Sequence, residues 1–134
     1  MMPPAPAPFT RNLRIAVIDD EDSVRKSLCR LLRSEGMDVK TFGSGQEFLL
    51  APSMRFDCLV LDVHMPLMDG FDVYEHFLRI GIRLPVVIVT GHDSPKDRAR
   101  ADGLGIANYL RKPIDGQVLM EAIAGALRDS ESLR

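Results

Sequence analysis

The stretch CLVLDVHMPLMDG, residues 58–70, begins as a run of apolar residues and then reaches a carboxylate at Asp62. Runs of Val, Ile and Leu as continuous as this one are typical of strands in parallel sheets, whose two faces are both covered by helices. Such a strand is expected to end on a carboxylate only where other parts of the chain supply partners for it. The stretch therefore predicts a buried parallel strand over 57–61, with Asp62 at its carboxyl end.

Strand-like and helix-like segments alternate along the chain. Strands are predicted over five short segments: LRIAVI (13–18), DVKTF (38–42), DCLVL (57–61), PVVIVT (85–90) and ANYLR (107–111). Helices are predicted over residues 22–35, 44–50, 70–79 and 95–103 and after Asp115. Five β–α units of this length, joined by right-handed crossovers, predict an α/β fold with a doubly wound (βα)5 open parallel sheet.

Local signals mark the ends of several helices. Gly36 follows the helix predicted over 22–35 and suits the left-handed conformation that commonly ends a helix. Ser44, with Glu47 three residues later, fits a capping box that opens the next helix. Asp69–Gly70 is predicted to form a turn that leads into the third helix.

The composition is that of an ordinary globular domain, with 46% hydrophobic and 27% charged residues and a net charge of −2 over 134 residues. No run of basic residues is present, so neither direct nucleic-acid binding nor a polybasic membrane surface is expected. No apolar segment is long enough to span a bilayer. Cys29 and Cys58 lack metal-site spacing and are interpreted as core residues in a reducing compartment. We therefore expect a cytoplasmic protein.

The predicted domain covers residues 13–128. The stretch before it, MMPPAPAPFTRN (1–12), has four prolines among its first eight residues and is predicted to be a disordered, Pro-rich lead. This stretch has neither a basic start nor an apolar core, so it is not interpreted as a secretory signal. Residues 129–134 are expected to form a C-terminal tail or the start of a linker.

Polar side chains are found where the predicted strands end. In chain order they are Asp19, Asp20 and Glu21 after the first strand, Asp62 after the third, Thr90 at the end of the fourth, and Lys112 after the fifth. Ligands of open α/β sheets bind outside the carboxyl ends of the strands. The topology therefore predicts that these side chains meet at one edge of the sheet.

The clustered carboxylates indicate a cation site. At roughly 5 Å and an effective dielectric constant near 20, each pair of carboxylates repels by about 3 kcal/mol, more than Lys112 alone can offset. Mg²⁺ takes oxygen ligands and commonly combines one or two carboxylates with phosphate oxygens. Once a phosphoryl group is drawn to the site, Asp62 is the best placed nucleophile, and Thr90 and Lys112 are placed to contact the phosphoryl oxygens.

Four motifs along the chain resemble, in order and spacing, those of the response-regulator receiver domain of two-component signalling. They are VIDDE (17–21), LDVHMPLMDG (61–70), VTG (89–91) and YLRKP (109–113). The resemblance covers essentially all of residues 13–128. It implies the flavodoxin-like fold of chemotaxis-regulator-like receivers. It also implies that the domain is not an enzyme in the ordinary sense and promotes only its own Mg²⁺-dependent phosphorylation and dephosphorylation.

The resemblance assigns a phosphoacceptor and a set of metal ligands. Asp62 would be the phosphoacceptor and a ligand of Mg²⁺. Asp20 would bind the ion directly, Asp19 would bind it through water, and the backbone carbonyl of His64 would be a further ligand.

The resemblance also assigns the residues that respond to phosphorylation. Thr90 would be the switch hydroxyl, Tyr109 the switch aromatic residue, and Lys112 the partner of the phosphoryl group. The Lys112–Pro113 peptide bond is often cis in such domains, which would direct the lysine inward.

Partners follow from the same resemblance. A sensor histidine kinase would supply the phosphoryl group, and the surface of the fourth helix, fifth strand and fifth helix would dimerise or dock an output domain or partner protein. The motifs LDVHMPLMDG and TGHDSP are similar to those of receivers that carry a LuxR-type DNA-binding domain, so control of transcription is the expected output.

Three residues depart from the usual receiver pattern. His64 and His92 each lie two positions after a site residue, at places that flank the phosphoryl group in receivers. We hypothesise that their imidazoles tune the lifetime of the phosphate; the alternative is two exposed histidines with no kinetic role. Ile106 stands where receivers usually have Ala, and its bulk is expected to crowd the movement of Thr90.

Other interpretations of the same residues remain open. Asp19 and Asp20 could cap the following helix, Thr90 could be an ordinary strand residue, and Lys112 could be a solvated loop charge. A haloacid-dehalogenase-like phosphatase favours a second Asp where this chain has His64. A flavodoxin-like FMN carrier would need a phosphate-binding loop where this chain has acidic residues. A receiver-like interaction module that does not depend on phosphorylation is the remaining alternative.

Overall fold

The computed structural model describes residues 12–51 and 55–132, with side chains described as far as residue 129. The lead predicted over residues 1–12 therefore lies outside the described residues except for its last position, as do residues 133–134. Within the described residues, no helix combines the length and the apolar character needed to cross a membrane.

Five strands alternate with five helices, as the sequence predicts. The strands are Arg14–Ile18 (β1), Asp38–Phe42 (β2), Cys58–Asp62 (β3), Val86–Thr90 (β4) and Tyr109–Arg111 (β5). The helices are Asp22–Ser34 (α1), Gly45–Leu50 (α2), Gly70–Arg79 (α3), Pro95–Gly103 (α4) and Gly116–Ser132 (α5). Most bounds lie within one residue of the prediction. The larger differences are that β5 begins only at Tyr109, two residues after its predicted start, and that α5 continues past residue 128 into the expected tail.

The strands form one parallel sheet in the order β2-β1-β3-β4-β5. The register pairs Ile18 of β1 with Leu61 of β3, and Asp62 of β3 with Val89 of β4. Asp62 therefore ends the central strand, with the end of β1 on one side and the end of β4 on the other.

The two faces of the sheet are covered by separate apolar layers. Alternate residues of the central strands point to opposite faces, so Val17 and Val60 pack with α1 and α5, whereas Ile18 and Leu61 pack with α2, α3 and α4. Each fully buried aliphatic side chain of this kind contributes roughly 1.5–3 kcal/mol to stability. Burial on both faces explains why the sequence of β3 is continuously apolar rather than alternating.

Helix α4 differs from its neighbours in how it is attached. Ser94 caps it by accepting the amide hydrogen of Asp97, and Pro95 occupies its first turn. Within α4, all of which is described, Ala101 is the one buried side chain. The apolar layer therefore provides little anchorage for this helix, and charged side chains supply most of its contacts.

Ile106 belongs to the core rather than to the site. It is buried in the layer that includes Ala101, and it precedes β5 by three residues. Because Tyr109 pairs with Ile88, the parallel register places Ile106 beside the beginning of β4, whereas Thr90 ends that strand. The structure therefore does not place Ile106 where it could crowd Thr90, contrary to the expectation from the sequence.

Candidate functional site

Three polar residues are buried in the part of the chain that the structure describes, and all three lie where central strands end. Asp19 directly follows β1, Asp62 is the last residue of β3, and Thr90 is the last residue of β4. Asp62 is only 3% exposed. The parallel topology thus brings together three of the six polar residues that the sequence placed at strand ends.

Lys112, which directly follows β5, pairs with the carboxylates at the ends of β1 and β3. Its Nζ lies 2.8 Å from Asp19 Oδ2, 3.4 Å from Asp62 Oδ1 and 3.4 Å from Glu21 Oε1. Its backbone N–H donates to the carbonyl of Thr90 at 2.8 Å, and the Lys112–Pro113 peptide bond is cis, as the resemblance implied. Burial acts to lower the pKa of this lysine, but the carboxylates of Asp19 and Asp62 outweigh burial and raise it.

Asp62 is held in an environment that disfavours its charge. Burial, and then the negative charge of Asp19, raise its pKa to about 7, although Lys112 acts in the opposite direction. One lysine therefore does not neutralise this group of carboxylates. Further positive charge at the site would favour the ionised, nucleophilic form of Asp62.

The acidic residues after β1 fit a divalent cation. Oxygen atoms of Asp19, Asp20 and Glu21 all lie within 4.8 Å of one another. Asp19 Oδ1 accepts the N–H of Glu21 at 2.9 Å, whereas Asp19 Oδ2 is buried and is paired with the Lys112 ammonium. An all-oxygen donor set of this kind suits a hard cation such as Mg²⁺.

Glu21 is a member of this cluster to which the sequence analysis gave no role. It directly follows the Asp19–Asp20 pair, and that adjacency was the available signal. Asp62, by contrast, lies across Lys112 from these three residues. The carbonyl of His64 as a metal ligand remains a prediction.

Gly70 fixes the loop that follows Asp62. A Cβ atom at this position would lie 2.3 Å from the backbone oxygen of Asp62, so a side chain does not fit here. The N–H of Gly70 donates to the carbonyl of Val63 at 3.1 Å. Asp69 and Asp72 then form a reciprocal capping box at the start of α3, which makes the turn predicted at Asp69–Gly70 a structural anchor.

Thr90 and Tyr109, which the resemblance predicts to be switch residues, have different local partners. The Thr90 hydroxyl donates to the carbonyl of His92 and accepts its N–H, both at 3.1 Å, so it is engaged locally. The Tyr109 ring lies under the Arg98 guanidinium, 4.9 Å from ring centroid to carbon. The Tyr109 hydroxyl is buried beside the Asp93 carboxylate, and burial followed by its interaction with Asp93 raises its pKa to about 12.

His64 and His92 face each other across the site, with ring centroids 6.0 Å apart and planes inclined at 70°. His64 Nε2 lies 2.9 Å from Asp97 Oδ2, so its side chain contacts the first turn of α4. The sequence paired the two histidines but missed Asp97, which lies 33 residues from His64 in the chain.

Arg100 joins α4 to the beginning of α3. Its guanidinium lies within 3.1 Å of carboxylate oxygens of Asp69, Asp72 and Glu75, and it covers the ring of Phe71 at 4.9 Å. We call these three ion pairs and the His64–Asp97 pair the ionic seam of α4. The seam connects α4 to the loop that leads from Asp62, and no sequence motif indicated it.

Comparison with known proteins places this arrangement in a family. The family model described as the response regulator receiver domain matches residues 15–124. The chain belongs to that family: it is a receiver domain of a two-component response regulator, with the flavodoxin-like fold and the regulatory character that the motifs implied.

Two curated relatives illustrate the likeness, and one of them is named as a transcriptional regulator. The chain is 37% identical over 114 residues to Nodulation protein W of Bradyrhizobium diazoefficiens, covering 84% of this chain and 50% of the relative. It is 37% identical over 124 residues to the transcriptional regulatory protein FixJ of the same organism, covering 92% of this chain and 60% of the relative. The chain therefore spans about half the length of the curated relatives that it matches.

A solved structure supports the same assignment. The crystal structure of a response regulator receiver protein from Burkholderia phymatum matches with a TM-score of 0.76 and 36% identity, covering 87% of this chain and 96% of that one.

Proposed function

We propose that this domain accepts a phosphoryl group on Asp62 from the phosphohistidine of a sensor histidine kinase in the cytoplasm, with Mg²⁺ as the cofactor. The observation that carries the proposal is the bridge made by Lys112 between the buried carboxylates of Asp19 and Asp62. This bridge places one cation beside a buried carboxylate at the carboxyl edge of the sheet, where a transferred phosphoryl group would need its charge balanced.

Asp19, Asp20 and Glu21 supply the oxygen atoms that would hold the ion, and Asp62 together with the His64 carbonyl would complete the set. Mg²⁺ at this position would supply positive charge to phosphoryl oxygens and favour the ionised form of Asp62. The donor set contains oxygen only, which disfavours softer metals.

Side chains of this domain take part directly in the transfer of the phosphoryl group. A carboxylate oxygen of Asp62 forms the new bond to phosphorus while the bond from phosphorus to the histidine nitrogen breaks. The nitrogen leaves with the electron pair and takes up a proton. Lys112 stays beside the reacting centre and pairs with a phosphoryl oxygen, and Thr90 exchanges its bonds to His92 for one to the phosphoryl group.

Phosphorylation would then act on the surface formed by α4, β5 and α5. The product adds about −1.5 to −2 charge and three acceptor oxygens, by analogy with phosphorylated hydroxyl residues. Movement of Thr90 toward the phosphoryl group would leave space behind it that Tyr109 could occupy, and α4 would shift with it. The regulator names of the relatives support transcription as the output, and the changed surface as the place where the domain dimerises or docks an output domain.

The second candidate is a receiver-like interaction module that does not use phosphorylation. The observation that favours it is that Lys112 already pairs with both Asp19 and Asp62, so the charges are partly balanced without a phosphoryl group. Burial and the charge of Asp19 raise the pKa of Asp62, so a bound cation would help to keep it ionised, and this supports the phosphoacceptor function over the alternative.

The experiment is the intact mass of the protein after incubation with acetyl phosphate, with and without Mg²⁺, for the wild type and Asp62→Asn. A single phosphoryl adduct that requires both Mg²⁺ and Asp62 is expected. Asp102→Asn, which alters an exposed carboxylate on α4, is the matched control and should be phosphorylated normally. An adduct that forms without Mg²⁺, or that persists in Asp62→Asn, would contradict the proposed site.

A further inference from the structure

The loop between β3 and α3 carries an unusual residue at its tip. Leu67 has a φ angle of +69°, in the left-handed region that non-glycine residues rarely adopt, and its side chain is 94% exposed. Among the described residues other than glycine, it is the one with a positive φ angle. Both features disfavour leucine at this position in the isolated domain.

The N–H of Met68 donates to the carbonyl of Pro66 at 2.8 Å and closes the turn around Leu67, but within the described residues the Leu67 side chain is not buried in any way that would offset this disadvantage. The left-handed conformation brings Cβ close to the following carbonyl oxygen, whereas glycine or asparagine adopts it more easily. A side chain that is almost wholly exposed gains no free energy from burial in the folded domain. Residues held in such strained conformations cluster at active sites, ligand clamps and switch regions.

The position of the loop identifies what would cover this leucine. The two ends of the loop close on the site, because the N–H of Gly70 donates to Val63 and the backbone of Gly70 lies directly against that of Asp62. Leu67 is therefore the tip of a short loop whose two ends lie beside the proposed phosphoacceptor, Asp62. A protein that brings a phosphoryl group to Asp62 must approach across the loops at this edge of the sheet.

Polar residues are exposed on both sides of this loop. Glu21 follows β1 and His92 follows β4, and both are exposed; farther along the edge, Pro113 after β5 is exposed as well. Pro66 and Leu67 thus provide an apolar projection beside a charged site. An apolar residue beside polar surroundings is the usual composition of a small contact point in a transient protein interface.

We propose that Leu67 is a contact residue for the protein phosphodonor, and that it is buried only while a phosphohistidine-bearing partner is docked over Asp62. This inference rests on the proposed function, since it assumes that a protein donor delivers the phosphoryl group to Asp62. It assigns Leu67 to recognition of the donor, not to the chemistry.

The test compares a protein donor with a small one. Autophosphorylated cores of the sensor kinases of the source organism are first screened, and the kinase that transfers fastest to the wild type is chosen. The wild type, Leu67→Asn and Leu67→Gly are then phosphorylated with that kinase and, separately, with acetyl phosphate. Both variants are expected to lower kcat/KM for the kinase about tenfold, through KM, and to leave the acetyl phosphate rate within twofold. Both should also be more resistant to unfolding than the wild type.

Leu50→Asn is the matched control, because Leu50 is also a highly exposed leucine, 84% exposed, but lies at the end of α2, on the opposite edge of the sheet. It should leave both donors unaffected. Unchanged kinase transfer in Leu67→Asn, or an equal loss with both donors, would overturn the inference. Transfer from acetyl phosphate but from no kinase would also overturn it and leave the phosphoacceptor function standing. No phosphorylation from either donor would overturn the proposed function itself.

Discussion

Replacement of Asp62 by asparagine is expected to stabilise the metal-free domain. Asparagine has nearly the same shape but carries no charge, and the buried carboxylate is disfavoured by its surroundings. The difference between the ordinary pKa of 3.8 and the value of about 7 corresponds, at about 1.36 kcal/mol per pH unit, to about 4 kcal/mol at alkaline pH. Residual hydration of the carboxyl reduces this figure, which is therefore an upper value for the gain.

The sign of the pH dependence follows from the raised pKa. Well below pH 3.8 the carboxyl is protonated in both the folded and unfolded states, so the variant gains nothing from the missing charge. As the pH rises toward 7 the unfolded state ionises first, and the stability of the wild type falls relative to the variant. The advantage of Asp62→Asn should therefore grow by about 2.5 kcal/mol between pH 5 and pH 8, and level off above that.

Urea unfolding in the presence of EDTA at pH 5 and pH 8 measures this advantage directly. Asp102→Asn, the exposed control, should show a small difference that does not change with pH. A gain for Asp62→Asn that is the same at both pH values would refute the reasoning, because burial of charge could not then be its source. No gain at either pH would refute it equally.

Three further changes follow from the geometry. Leu67→Gly removes a leucine whose backbone is in the left-handed conformation, so it should raise the free energy of unfolding, measured by urea titration, by about 1 kcal/mol. A decrease would mean that the leucine side chain makes stabilising contacts within the domain. Arg100→Met should lower the hydrogen-exchange protection of α4 amides roughly tenfold at low salt and by less at 1 M salt, because salt screens exposed ion pairs. Arg98→Met, which removes only a local ion pair to Asp93, is the control and should change the protection of α4 less. Equal effects of the two variants would contradict a specific role for the ionic seam. His64→Ala and His92→Ala should change the dephosphorylation rate of the phosphorylated protein without preventing phosphorylation, followed by phosphate release; unchanged decay in both would reject the tuning hypothesis.

The sheet and the buried part of the site could be predicted because both follow from chain order. Continuous apolar runs indicate strands covered on both faces, and parallel strands bring their carboxyl ends to one edge. Asp19, Asp62 and Thr90 therefore had to meet once the strands were recognised. Lys112 could be added because it directly follows the last strand.

The contacts of α4 could not be predicted in this way. The partners of Arg100 lie 25 to 31 residues away, and those of His64 lie 33 residues away, on helices whose relative placement has no periodic signal. The strain at Leu67 also leaves no mark in the sequence, because a leucine in a loop is ordinary until its backbone angle is known. Such features depend on how loops close, not on residue patterns.

The weak apolar anchorage of α4 has a consequence for how the domain can evolve. Because Ala101 is the one buried side chain of this fully described helix, most of its positions can be exchanged without opening a cavity in the core. The face that α4 presents can then diverge toward different partners while the sheet and the acidic site stay unchanged. A helix held by surface charge is free to acquire new specificity at little risk to the fold.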